Sequence, residues 1–176
     1  TADGSGAWSF DYTGTVLADG FYAFSAAASN ASGTSASSPS LLVTIDTVAP
    51  AVASIVRQSP TAATSTAATI TFRATFTEPM SGVSASSFTP VYGLGLSGTI
   101  VDVVPAGPAF FDVVIDLVGE GTVRLDVLAA SAALADTAGN ALAADFTSGQ
   151  AYTRALVGGG VWLRSTSGGL WSDNVN

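Results

Sequence analysis

Alternation constrains this chain more than any other feature. In Thr69–Phe76, TITFRATF, the residues Ile70, Phe72, Ala74 and Phe76 fall on one side, and Thr71, Arg73 and Thr75 fall on the other. Successive side chains of an extended chain point to opposite faces, so a period of two marks a strand with one buried face. The pattern returns in FFDVVIDL, with Phe111, Val113, Ile115 and Leu117 inward and Asp112 and Asp116 outward. It returns again in TVRLDVL, with Val123, Leu125 and Val127 inward and Arg124 and Asp126 outward. LLVTI places Leu41, Val43 and Ile45 together, and AWSFDY sets Trp8, Phe10 and Tyr12 against Ser9 and Asp11, which predicts a core or half-core Trp8. Short alternating segments broken by Gly, Pro, Ser and Asn predict an all-β, antiparallel β-sandwich. Only VLAASAALAD, Val127 to Asp136, leans toward helix, and it predicts a strand end running into one helical turn.

Charge then narrows the function classes. The chain has thirteen acidic residues against five basic ones, all arginine, for a formal charge of −8. A protein that replaces the counterions of a phosphate backbone needs a basic patch, so nucleic acid is excluded as a partner. The 176 residues include no Cys and no His, which removes disulfides, thiolate metal sites and the usual base for a serine nucleophile. Asp112 and Asp116 point the same way on one strand but stand ~13 Å apart at ~3.3 Å per residue, beyond the ~6.5–9.5 Å of an inverting carboxylate pair. They read as solvated strand-face charges, and the expectation is that the chain is not an enzyme. No apolar run approaches the ~18 residues that would span a bilayer. Thr1 is preceded by no Met and followed by no leader pattern, so the chain reads as a piece of something longer.

SLLVTIDTVAPAV, Ser40 to Val52, supplies the organisation. Ile45 closes one strand, Asp46 to Pro50 form a short extended joint in which Pro50 biases Ala49 away from helix, and Val52 opens the next strand. Such a joint is too short for free swivelling. Upstream, LADGFYAFSA turns at Asp19-Gly20 and opens a strand at Tyr22. This layout resembles the tyrosine corner of immunoglobulin-like sandwiches, in which the ring is buried and the hydroxyl bonds an upstream backbone group; an ordinary core tyrosine at a strand start is the alternative.

Residues 1 to about 50, ending in Val43-Thr44-Ile45-Asp46-Thr47-Val48-Ala49-Pro50, resemble the second half of a bacterial immunoglobulin-like repeat of large secreted adhesins of the biofilm-associated type. Asn30-Ala31-Ser32-Gly33 stands where those repeats carry Asp and AGN. Residues 50 to 154, with Thr77-Glu78-Pro79, Ser81-Gly82-Val83, Asp136-Thr137-Ala138-Gly139-Asn140 and a closing Tyr152-Thr153, resemble another such surface-protein repeat, with Ser84 and Ser87 where relatives tend to be acidic. Gly168-Gly169-Leu170-Trp171-Ser172-Asp173-Asn174 is similar to the lead-in of autotransporter-like β-solenoid repeats. These resemblances imply three parts: the C-terminal part of one immunoglobulin-like domain at 1–49, a complete one at 50–154, and a Gly-rich linker opening a further module at 155–176. They also imply an extracellular or bacterial cell-surface location.

Asp46, Glu78, Asp136 and Asn140 are the candidate metal ligands. All offer oxygen, they lie at a domain joint or on loops at one end of the unit, and Ca²⁺ accepts 6–8 oxygens in flexible geometry. The competing reading is that Asp136 and Asn140 cap their turn by bonding nearby backbone N–H groups. Trp162 and Trp171 are open to two readings, stacking on sugars or packing into a following module. The function implied is that of a non-enzymatic spacer or adhesion segment projecting a binding region from the cell, with neighbouring domains and a host or matrix glycan or protein as partners. The alternative is a glycan- or protein-binding module of an adhesin or secreted enzyme. Residues 1–49, as half of such a domain, are expected to lean on the second domain or to be loosely ordered.

Overall fold

The computed structural model describes residues 2–3, 5–130 and 134–156. Its architecture is all-β: several mostly antiparallel sheets, no closed barrel, and among the described residues no helix beyond one 3-10 turn at Ala85–Ser87. Among the described residues no helix is long and apolar enough to cross a membrane. The expectations for Trp162, Trp171 and the solenoid-like lead-in lie outside the described residues.

The first stretch forms β1 (Gly20–Phe24), β2 (Ser29–Asn30), β3 (Gly33–Thr34) and β4 (Leu41–Ile45). β1 pairs antiparallel with β4 from Gly20↔Ile45 to Phe24↔Leu41, and β2 pairs with β3 as a small separate hairpin. A two-stranded ribbon has no second layer to bury its faces. Tyr22 and Phe24 shelter one another and Tyr12 on one side, while Phe21 on the other is 91% exposed. AWSFDY forms no strand, and Trp8 at 62% and Phe10 at 73% exposure are surface residues. The expected core Trp8 is therefore corrected: its segment pairs with no strand, and no second sheet is there to cover it.

The second stretch runs through β5 (Val52–Ser59), β6 (Thr64–Ser65), β7 (Thr69–Phe76), β8 (Met80–Ser81), β9 (Thr89–Tyr92), β10 (Leu96–Gly107), β11 (Phe110–Gly119), β12 (Gly121–Asp126), β13 (Ala135–Asp136) and β14 (Ala151–Arg154). One four-stranded sheet has the order β10-β11-β7-β5 and a second has β6-β14-β12-β9; β14 and β6 form the parallel pair. Both sheets feed one core. Ile70, Phe72, Ala74 and Phe76 of β7, with Phe111, Val113, Ile115 and Leu117 of β11, meet Val123 and Leu125 of β12, all buried as their alternation predicts, and Tyr152 of β14 is buried with them. Every strand pair before Asp46 stays within the first stretch, and every pair after Pro50 stays within the second.

One expectation in this unit fails for an identifiable reason: Asp126, expected outward with Arg124, is buried, because the Arg124 guanidinium folds over it through bonds of 2.7 and 2.9 Å to its two oxygens. The helical turn expected within Val127–Asp136 falls in part on residues 131–133, which lie outside the described residues; at the ends of that segment Val127 bridges to Phe146 and Ala135–Asp136 pair with β8.

Candidate metal centre

The four candidate ligands come from three separate pieces of chain. Asp46 follows the last residue of β4; Glu78 sits in the turn between β7 and β8; Asp136 ends β13, and Asn140 closes the turn after it. β8 and β13 place the last two pieces side by side through Met80↔Asp136 and Ser81↔Ala135, reinforced by the Ser81 hydroxyl donating to the Asp136 carbonyl at 2.9 Å. Asp46, Glu78 and Asp136 each contribute a carboxylate oxygen, and those three atoms lie within 4.8 Å of one another. The structure thus gathers three of the four candidate residues, separated by up to ninety positions, at one place.

Asp136 is only 1% exposed. One of its oxygens accepts backbone N–H bonds from Ala138 at 2.8 Å, Gly139 at 2.6 Å and Asn140 at 2.9 Å, and the other accepts from the Asn140 side-chain amide at 2.8 Å. Burial alone would raise its pKa, but these bonds favour the charged form and hold it below the ordinary value. Gly139 makes the tight turn possible with φ +99°, a conformation that side chains rarely adopt. The turn-capping reading is thus what the hydrogen bonds show, and it leaves Asp136 ionised beside two other carboxyl groups. Glu78 registers the consequence: burial, then the charges of Asp46 and Asp136, push its pKa up.

Asn140 behaves differently from an oxygen ligand. Its Nδ2 donates both to Asp136 Oδ2 at 2.8 Å and to the Asp46 carbonyl at 3.0 Å. Both neighbours are acceptors only, so the amide nitrogen must face them. Asn140 therefore works as a donor that ties the turn to Asp46, and the oxygens that could hold a cation here are those of the three carboxylates.

Among the described residues the two ion pairs, Arg73 with Asp112 and Arg124 with Asp126, lie elsewhere. Hard carboxylate oxygens at this spacing are the donor type that Ca²⁺ takes, and a divalent cation would relieve the repulsion from Asp46 and Asp136 that adds to the effect of burial on Glu78.

Sequence reasoning missed one residue of this region. Asp19, at the turn into β1, accepts at one oxygen from both the backbone N–H and the hydroxyl of Thr47, at 3.1 and 2.9 Å. The pairing Gly20↔Ile45 brings the residues together, and that pairing is invisible in a linear reading. The Tyr22 hydroxyl donates to the Ala18 carbonyl at 2.8 Å, the upstream backbone bond expected of it, although the ring is half-buried.

No family model matches the chain, and no curated protein or solved structure matches it significantly.

Proposed function

We propose that this chain is a non-enzymatic spacer or adhesion segment of a large secreted or cell-surface bacterial protein, built from an immunoglobulin-like β-sandwich at 50–154 and the C-terminal part of another at 1–49, with a divalent cation, Ca²⁺ by its ligand chemistry, at the joint between them. The observation that carries the reading is the Asp46, Glu78 and Asp136 carboxylate triad, which draws one member from the joint and two from the unit that follows it. A cation held there would bridge the two stretches and stabilise the joint between them. The Tyr22 to Ala18 bond and the single core shared by two sheets support the sandwich assignment. The secreted or surface location rests on the sequence resemblance.

Thermal unfolding of the whole chain with millimolar Ca²⁺ and with chelator, in the parent and in Glu78→Gln, tests the reading. A ligand that binds only the folded state stabilises it by RT ln(1 + [L]/Kd), about 2.7 kcal/mol at one hundred times Kd. The parent should melt higher with Ca²⁺ and Glu78→Gln should lose most of that rise; superimposable parent curves would remove the cation. Glu78 is the better probe than Asp136, because its substitution leaves the turn bonds of residues 136–140 in place.

The second reading, a module that binds glycan or protein, is favoured by the exposed rings of Trp8, Phe10 and Phe21. A glycan array probed with the parent and with Phe21→Ser separates the two readings: binding that the substitution abolishes would favour the module.

A further inference from the structure

The joint from Asp46 to Ala51 is bonded to both flanking stretches at groups a linker would ordinarily leave to water, although Thr47, Val48 and Ala49 themselves are exposed. On the side of the first stretch, the Thr47 N–H and hydroxyl both donate to Asp19. On the other side, the Asp46 carbonyl accepts from Asn140, the Pro50 carbonyl accepts from the Ala143 N–H at 2.8 Å, and Ala51 exchanges two bonds with Thr77, at 2.9 and 3.0 Å. Pro50 itself is fully buried. Asn140 is in turn fixed to the second unit, since its backbone N–H and carbonyl both bond Asp136 and its side-chain amide reaches the Asp136 carboxylate. Its one amide group therefore spans from the second unit to the residue that ends the first, and swivelling at the joint would break it.

We propose that the joint is latched by protein hydrogen bonds alone, with Asn140 and Asp19 as the positioning residues that fix Asp46 and Thr47 from opposite sides, so that a cation at the triad changes the stability of the joint and not its angle. This deepens the spacer reading and rests on it. The physical reason is order of assembly. The latch needs only neutral amide, hydroxyl and backbone donors on acceptors already aimed at them, whereas the cation must first find three carboxylates whose spacing those same donors hold. Charge relief then acts on a geometry that already exists.

The chain has no Cys, so Leu42→Cys on β4 and Val118→Cys on β11, both exposed strand positions, carry the only spin labels of a double electron–electron resonance experiment. With chelator, the doubly labelled chain should give one narrow distance distribution whose mean is unmoved by millimolar Ca²⁺. Asn140→Ala and Asp19→Ala should each broaden it about twofold or more. Asp19→Ala leaves the Asp136–Asn140 turn intact, so broadening there separates loss of the latch from misfolding of that turn. A merely structural role for either residue would lower the melting temperature without widening the distribution. A distribution that is broad in chelator and narrows with Ca²⁺ would overturn the latch and leave the spacer reading standing. One that stays narrow in both variants would do the same. A distribution that is broad under every condition would overturn both.

Discussion

The rings of Phe72 and Tyr152 meet edge to face, with centroids 4.9 Å apart at 68°, across the gap between the two four-stranded sheets. The Tyr152 hydroxyl continues through that contact to the Pro60 carbonyl at 2.6 Å and the Thr71 carbonyl at 2.9 Å, and its single proton serves one of them at a time. Phe72→Ala empties the centre of the core and should cost ~3–5 kcal/mol, enough to unfold a marginal domain. Tyr152→Phe keeps the ring contact and removes only the hydroxyl, for about 1–2 kcal/mol. Denaturant unfolding of both variants checks the ranking; equal losses would mean that the hydroxyl, rather than the ring pair, holds the sheets together.

Acid titration should act in opposite directions on two members of the triad. Glu78 has its folded pKa raised by burial and by Asp46 and Asp136, so its contribution to stability is full below the ordinary glutamate value and lost as pH rises through the raised one. Asp136 has its pKa lowered despite burial, so its contribution is present above the ordinary aspartate value and lost as pH falls through the lowered one. In chelator, the melting temperature should therefore rise as pH drops from neutral toward the glutamate range and fall again in stronger acid. Glu78→Gln should flatten the first limb and leave the second. A monotonic fall from pH 7 downward in the parent would contradict the repulsion assigned to Glu78.

Among the described residues, trypsin should find little to cut in the folded chain. There is no Lys, and Arg57, Arg73, Arg124 and Arg154 all lie in strands. Each guanidinium is also engaged: Arg57 on the Thr61 and Ala151 carbonyls, Arg73 on Asp112, Arg124 on Asp126, Arg154 on the Ala67 and Gly119 carbonyls. Cleavage after these four should appear only through unfolding and should track the equilibrium population of the open form. Electrophoresis and mass spectrometry of timed digests decide it; rapid native cleavage at Arg73 or Arg124 would show that their strands open locally.

Two glycines with similar backbone angles should respond very differently to alanine. A Cβ on Gly119, at φ +90°, would run into the Gly95 carbonyl oxygen, whereas one on Gly139, at φ +99°, meets nothing within 4 Å. Gly139→Ala should cost the conformational strain alone, ~1–2 kcal/mol. Gly119→Ala adds a collision with backbone that cannot rotate away and should cost at least twice as much. Comparison of their denaturation midpoints tests the packing of the β9–β10 turn against the β11–β12 turn.

Local pattern determined the strands that have two layers around them. Ile70 to Phe76, Phe111 to Leu117 and Val123 to Val127 are buried on the predicted side because a period of two fixes which face a strand presents, and a neighbouring sheet was there to receive it. The turn chemistry of Asp136 to Asn140 was equally legible, since a carboxylate two to four residues before free N–H groups caps them locally. Burial of Trp8 was not determined by its alternation, because periodicity states which residues would be buried together and says nothing of whether a covering layer exists. The same limit hid the outcome for Asp126, whose burial depends on how Arg124 folds over it. The joint divides along this line. Asp46, Glu78, Asp136 and Asn140 are residues of the right chemistry in the sequence, but only sheet pairing and the β8–β13 contact bring three carboxylates within 4.8 Å. Only the fold, too, turns the Asn140 amide toward Asp46 and Asp19 toward Thr47, because contacts between residues 94 and 28 positions apart are set by packing and not by any local preference.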